Sequence, residues 1–200
     1  QLVQQFMMYA LIPMLIQAAM VVTTEYRFNV NSINFAITPQ RWQLALSKLA
    51  VYGLIAVVLS IIILLASYTA GDQFALYPVE WTTNVFARRS FWAVPLVVFL
   101  LVMMTQGLGW ILRSTAAVVM IMITLPIFEF VIGFIPKIGE KVQFIAPFQN
   151  AIPFVFNTQS DKPNPFGGDP LTLWGSFGVF AVWVLVIYAI GLLLLERRDA

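Results

Sequence analysis

The chain is predicted to be an all-α, polytopic membrane protein, and three observations lead there. Of its 200 residues, 60% are apolar and only 10% charged, where a soluble domain carries roughly a quarter charged residues. Mean hydropathy is +0.88. The apolar residues lie in runs of helix length rather than in ten-residue alternating strands, which excludes a porin-like barrel. Within lipid, helices satisfy every backbone N–H and C=O inside one segment, so helical spans follow.

The runs divide the chain into a single transmembrane domain, residues 1–200, with five visible spans at about 6–22, 44–70, 91–112, 115–135 and 171–195. The first carries Pro13, expected to kink it, and Gln17, the one amide between Phe6 and Val22. Between the first two spans lies a polar elbow, 23–43. It opens with Thr23, Thr24 and Glu25, because a carboxylate at bilayer depth costs a few kcal/mol. Phe28, Val30, Ile33, Phe35 and Ile37 then alternate with polar residues, which suits a short amphipathic segment lying on a surface. Pro39 breaks it, and Trp42 is expected at headgroup level before Lys48.

The second span ends at Gly71 and Asp72, which places a polar loop, 72–90, on the opposite side, with Arg88 and Arg89 in it. Arg113 and Ser114 allow only a tight turn between the third and fourth spans. The interval 136–170 follows. Its first part, Phe134 to Phe156, is too apolar for a free loop and too broken by Pro136, Pro147 and Pro153 for a span. There Ile138, Val142 and Ile145 share one helical face. Ser160 to Pro170 is turn chemistry.

Placing the elbow inside puts Arg27, Arg41, Lys48, Arg113, Arg197 and Arg198 on the cytoplasmic side, against Arg88, Arg89, Lys137, Lys141 and Lys162 outside. The inner charges sit in short segments at span ends, where the positive-inside bias counts most.

Three motifs carry a resemblance. The run T-E-Y-R (Thr24 to Arg27) with T-P-x-R (Thr38 to Arg41), the hairpin GLGWILRSTAA (Gly107 to Ala117) and the ending LLERRDA (Leu194 to Ala200) occur in one order along nearly the whole chain. Together they resemble the type-two ABC exporter permeases, the membrane subunits of ABC transporters. That family usually follows E-Y-R with a Gly-containing triplet, and this chain has Phe28, Asn29 and Val30 instead. The resemblance implies a six-span fold with the five spans seen here as spans two to six, a first span upstream of Gln1, and a bacterial plasma-membrane location with a cytoplasmic C-terminus. It implies an elbow that docks on an ATP-hydrolysing subunit through Glu25, Tyr26, Arg27, Phe28, Ile33, Phe35 and Arg41. It also implies an extracellular re-entrant segment acting as an outer gate at Pro136, Ile138, Val142 and Ile145. The expected partners are two ATP-binding subunits, a second permease subunit, identical or homologous, and membrane lipid. No cofactor is expected on this chain, since ATP and Mg belong to the partners.

The residues alone leave other readings open. The elbow also fits a cytoplasmic loop resting on lipid, and the outer interval fits an interfacial helix. A non-transporting scaffold protein and an ion-coupled secondary transporter remain the alternative functions. Secondary carriers hold several ionisable groups at mid-membrane, and here only Glu129 qualifies. Counting sixteen residues from Arg113 puts Glu129 about 24 Å up its helix. It marks a translocation pathway together with Gln17, or it snorkels to the surface or bridges to Lys137 or Lys141.

Catalysis on this chain is not expected. No G-x-x-x-x-G-K-[ST] loop is present for ATP. With His 0 and Cys 0, zinc sites, thiol nucleophiles and imidazole chemistry are excluded. Asp72, Asp161 and Asp169 all fall in the outer loops, so no paired aspartates serve an intramembrane protease. The net charge of +2 points to no nucleic-acid partner. Trp110, Trp174 and Trp183 are read as packing and belt residues, and the Met residues at 7, 8, 14, 20, 103, 104, 120 and 122 as adaptable packing.

Overall fold

The computed structural model describes residues 2–28, 30, 40–74, 81–157, 169 and 171–197, with side chains from Ala10 onward in the first helix. Seven helices form among them: α1 (Leu2–Arg27), α2 (Arg41–Phe74), α3 (Val85–Leu112), α4 (Thr115–Ile132), α5 (Ile138–Ile145), α6 (Pro147–Phe156) and α7 (Leu173–Arg197). No strand occurs among the described residues. Four of the helices, α2, α3, α4 and α7, are long and apolar enough to cross a membrane. The first expected span, 6–22, falls inside α1, which is 26 residues long with Pro13 in its interior.

Several boundaries differ from the sequence expectation: α1 runs through Thr23, Thr24 and Glu25 to Arg27, α2 starts at Arg41, α4 ends at Ile132, and two further shifts have a local reason. The α3 helix starts at Val85 because the Asn84 side chain accepts the Phe86 N–H at 2.9 Å and the Ala87 N–H at 3.4 Å, filling two orphan donors. Arg88 and Arg89 therefore belong to a helix, not to a loop over 72–90. The α2 helix runs on through Gly71 and Asp72 to Phe74, because one glycine in a helix costs only about 1 kcal/mol.

The long helices run up and down, and their ends gather at two poles. At the elbow pole the C-terminus of α1, the start of α2, the α3–α4 turn and the C-terminus of α7 meet. Glu25 pairs with Lys48, the Thr23 and Thr115 hydroxyls bond each other, and Arg41 donates to the Leu195 carbonyl at 3.1 Å. That guanidinium serves a carbonyl in the last turn of α7, where no intrahelical donor remains. At the far pole, Tyr68 donates to Ser90 at 3.2 Å and Trp92 stacks on Trp174 at 5.9 Å, joining α2 to α3 and α3 to α7. The α3–α4 turn is tight because Arg113 adopts a left-handed conformation, φ 53°, and Ser114 caps α4 by accepting from Ala117.

Helix α3 is the centre of the bundle. Sixty-seven per cent of its most apolar stretch is buried, against 17–28% for the other three candidate spans. Glycine lets α7 reach it: a Cβ on Gly191 would stand 2.7 Å from the Gly107 carbonyl oxygen, and one on Gly107 would stand 2.9 Å from the Tyr188 Cα. Such small-residue crossings let two backbones pack closely where no hydrophobic force separates protein from solvent. The outside is apolar too. On α2, Val51, Leu54, Ile55, Val58, Leu59 and Ile62 are each 43–64% exposed in a continuous face. A water-soluble monomer does not tolerate such a surface, and lipid does; the chain is a helical, membrane-embedded protein.

Candidate functional site

Three places can do something chemically, namely the two poles and a groove between them. At the elbow pole, the Lys48 ammonium holds the Glu25 carboxylate, donates to the Val21 carbonyl at 3.3 Å, and lies 5.1 Å from the centre of the Trp110 ring. The Arg113 guanidinium lies 4.7 Å over Tyr26, whose ring meets Trp110 edge-on at 6.1 Å. Two cations and two aromatic rings thus tie the ends of α1, α2 and α3 into one block. The elbow leaves and re-enters the bundle through this block, so the Glu25–Lys48 pair closes the loop at its base. Of the predicted docking residues, Glu25, Tyr26 and Arg41 are engaged inside the bundle. Arg27 and Phe28 are exposed and stack on each other at 5.7 Å. Ile33 and Phe35 lie outside the described residues. Lys48, Trp110 and Arg113 were not singled out as site residues, although a Glu closing one span and a Lys opening the next was a usable signal.

At the far pole, α5 and α6 meet in a sharp corner at Ala146, and its backbone bonding can be followed atom by atom. The last four carbonyls of a helix have no partner of their own. Here Val142 O takes the Ala146 N–H at 2.7 Å, Asn150 Nδ2 donates to Gln143 O at 3.0 Å and Phe144 O at 3.2 Å, and Trp183 Nε1 donates to Ile145 O at 2.7 Å. The same Asn150 amide reaches Ala146 O at 2.8 Å. On the α6 side, Pro147 has no N–H to satisfy. The next two N–H groups, of Phe148 and Gln149, both donate to Glu129 Oε2 at 3.0 Å. Glu129 is therefore the N-terminal cap of α6, supplied from α4, and it is 4% exposed. It neither snorkels nor bridges to Lys137 or Lys141 among the described contacts. Three side chains from three helices replace the water that a corner at a surface would use.

The depth of this corner follows from α7. Trp183 is ten residues past Leu173 and twelve before Leu195, so it lies about 15 Å from one end and about 18 Å from the elbow pole. Glu129, fourteen residues from Thr115, lies about 21 Å from that pole. Both helices place the corner about 18–21 Å from the elbow pole; α7 runs ten residues beyond that level to Leu173, whereas α4 ends three residues on, at Ile132. The residues predicted as an outer gate take the other side of this pair. Ile138 and Ile145 are 56% and 50% exposed, Pro136 is exposed in the turn, and Val142 is half-buried. The helix that packs inward is α6, whose Phe154 is enclosed by Trp92, Trp174 and Phe177.

No family model matches the chain, and no curated protein or solved structure matches it either.

The third place is a groove of about 310 Å³ walled by α1, α3 and α4 and lined at the far end by α6. Its lining includes Leu15, Val97, Met122, Ile127, Ala151 and Ile152, and among the described residues no lining side chain is polar. Gln17 is exposed on α1 and is not part of the groove. Because Thr23 touches Thr115 on antiparallel helices, Gln17 stands level with about residue 121, and Glu129 is about 12 Å further along. The structure does not bring Gln17 and Glu129 together. Gln106, six residues before the end of α3 at Leu112, is fully buried with neither amide atom hydrogen-bonded.

Proposed function

We propose that this chain is the membrane subunit of an ATP-driven exporter, a permease that works with a second permease subunit and with two ATP-binding subunits. In this reading α1 is the second of six spans, the elbow pole is cytoplasmic and the α5–α6 pair is an external re-entrant gate. One observation carries it: the sealed corner at Ala146, set well down α7 and held by Glu129, Asn150 and Trp183. Non-helical backbone at such depth is tolerated only when buried in protein, and a scaffold protein has no use for it. A second point separates the reading from an ion-coupled carrier. The one carboxylate at this depth among the described residues is engaged as a helix cap, and the groove beside it carries no ionisable group.

ATP binding has to come from outside the chain, since no phosphate loop is present. The elbow offers the exposed Arg27 and Phe28 for that contact, backed by the Glu25–Lys48 staple. The test is co-expression with an ABC-type ATP-binding subunit from the same organism. Wild-type chain should co-purify with that subunit, and the Arg27→Glu, Phe28→Asp double variant should lose at least about 90% of it while remaining folded. Isolation of the chain from its native membranes with no ATP-binding subunit attached overturns the proposal.

A further inference from the structure

We propose that the groove beneath α6 is a binding site for a single hydrocarbon chain, entered sideways from the bilayer. Every described side chain lining its 310 Å³ is apolar, so a ligand there makes no directed polar contact with any of them, and alkyl surface matches the walls. That volume is at the lower end of small-ligand pockets, enough for one slender molecule.

The shape points the same way. On α4 the lining runs from Val119 to Ile127, eight residues or about 12 Å parallel to the helix axes. A slot along the spans has the orientation of an acyl chain in a membrane. Toward the elbow pole the lining ends at Ile16 and Val119, short of the Thr23–Thr115 contact, and Phe148 and Ala151 of α6 line its other end. Among the described residues, Ile152 of α6 lines the groove and is 37% exposed, and the side between α1 and α4 is open too. There Ile12, Ile123 and Ile127 are 39%, 41% and 58% exposed, continuous with the lipid-facing surface. The roof is held by the Glu129 cap, so the volume available to the chain depends on that carboxylate. The inference needs membrane embedding alone and stands apart from the exporter reading.

The test uses the full chain in nanodiscs of phosphatidylcholine containing a fraction of phosphatidylcholine with a diazirine in its acyl chain. After irradiation and digestion, label should concentrate on segments 119–127 and 148–155 at least about fivefold above the exposed face of α2, residues 51–62. It should fall to the α2 level in Ala151→Phe and in Met122→Phe, each of which fills the slot. Equal labelling of the groove and the α2 face in the unaltered protein overturns the proposal, whether or not the filled variants fold. So does retention of label in both filled variants. The chain has no cysteine, so Ile123→Cys supplies a lone thiol. Rapid disulfide formation between two copies in membranes would mean that a second chain covers the mouth, which also overturns it. None of these measurements requires an ATP-binding subunit, so a failure here and a failure of the exporter reading are told apart.

Discussion

The indole N–H of Trp183 on α7 bonds the carbonyl of Ile145 at 2.7 Å, thirty-eight residues away in sequence. Ile145 ends α5, and its carbonyl has no donor of its own helix to meet. Phenylalanine would fill the same space but leave that oxygen bare. The bond fixes the α5–α6 corner against the middle of a spanning helix, and the polar atoms of the corner are matched by Glu129 and Asn150 as well.

Replacement of Glu129 by Leu should therefore destabilise the protein by about 2–3 kcal/mol, because two buried N–H groups lose their acceptor. Glu129→Gln keeps an acceptor oxygen and should cost about half as much. Thermal unfolding of both variants in detergent, followed by tryptophan fluorescence, checks the order. Equal midpoints for Leu and Gln would remove the capping role.

Gly191 and Gly178 lie on the same helix and should respond oppositely to alanine. At Gly191 the added methyl meets the Gly107 carbonyl oxygen at 2.7 Å, whereas at Gly178 nothing lies within 4 Å. Gly191→Ala should cost about 1–3 kcal/mol through forced separation of α3 and α7. Gly178→Ala should be neutral or add up to about 1 kcal/mol, the ordinary helix preference. Paired melting curves decide it.

Gln106→Met should raise stability by about 1 kcal/mol, since an unpaired buried amide is replaced by an apolar side chain of similar length. Transport by the proposed exporter should be measured on the same variant. A gain in melting temperature with lost transport would show that the amide finds its partner in another conformation. A loss of stability would mean that the amide is satisfied in this one.

Breaking the Glu25–Lys48 pair from either side should cost about 3 kcal/mol, because each partner is mostly buried, with side-chain exposures of 18% and 13%. The double variant Glu25→Gln, Lys48→Met should cost clearly less than the sum of the single changes. A double-mutant cycle measured by unfolding in denaturant reads this coupling directly, and strict additivity would show that the pair contributes nothing beyond its separate contacts.

Membrane embedding, helical class and the long helices were legible along the chain, because they depend on composition and on runs of about twenty apolar residues, which are local quantities. The tight α3–α4 turn was legible too, in Arg113 and Ser114. The roles of single side chains were not. Glu129 was visible as a carboxylate at depth, but nothing in its neighbours Phe128 and Phe130 says that it caps a helix nineteen residues further on. Trp183 read as a packing and belt residue and Asn150 carried no signal, since carbonyls they serve lie on another helix. Gly107 and Gly109 stood in a motif, and only the crossing with Gly191 and Tyr188 shows that Gly107 is there to let α7 approach. The apolar groove exists only when α1, α3, α4 and α6 are assembled. Hydrophobic patterning decides which residues leave water, a one-body property of each residue. Hydrogen-bond partners, helix crossings and cavities are relations between distant residues, and tertiary packing alone sets them.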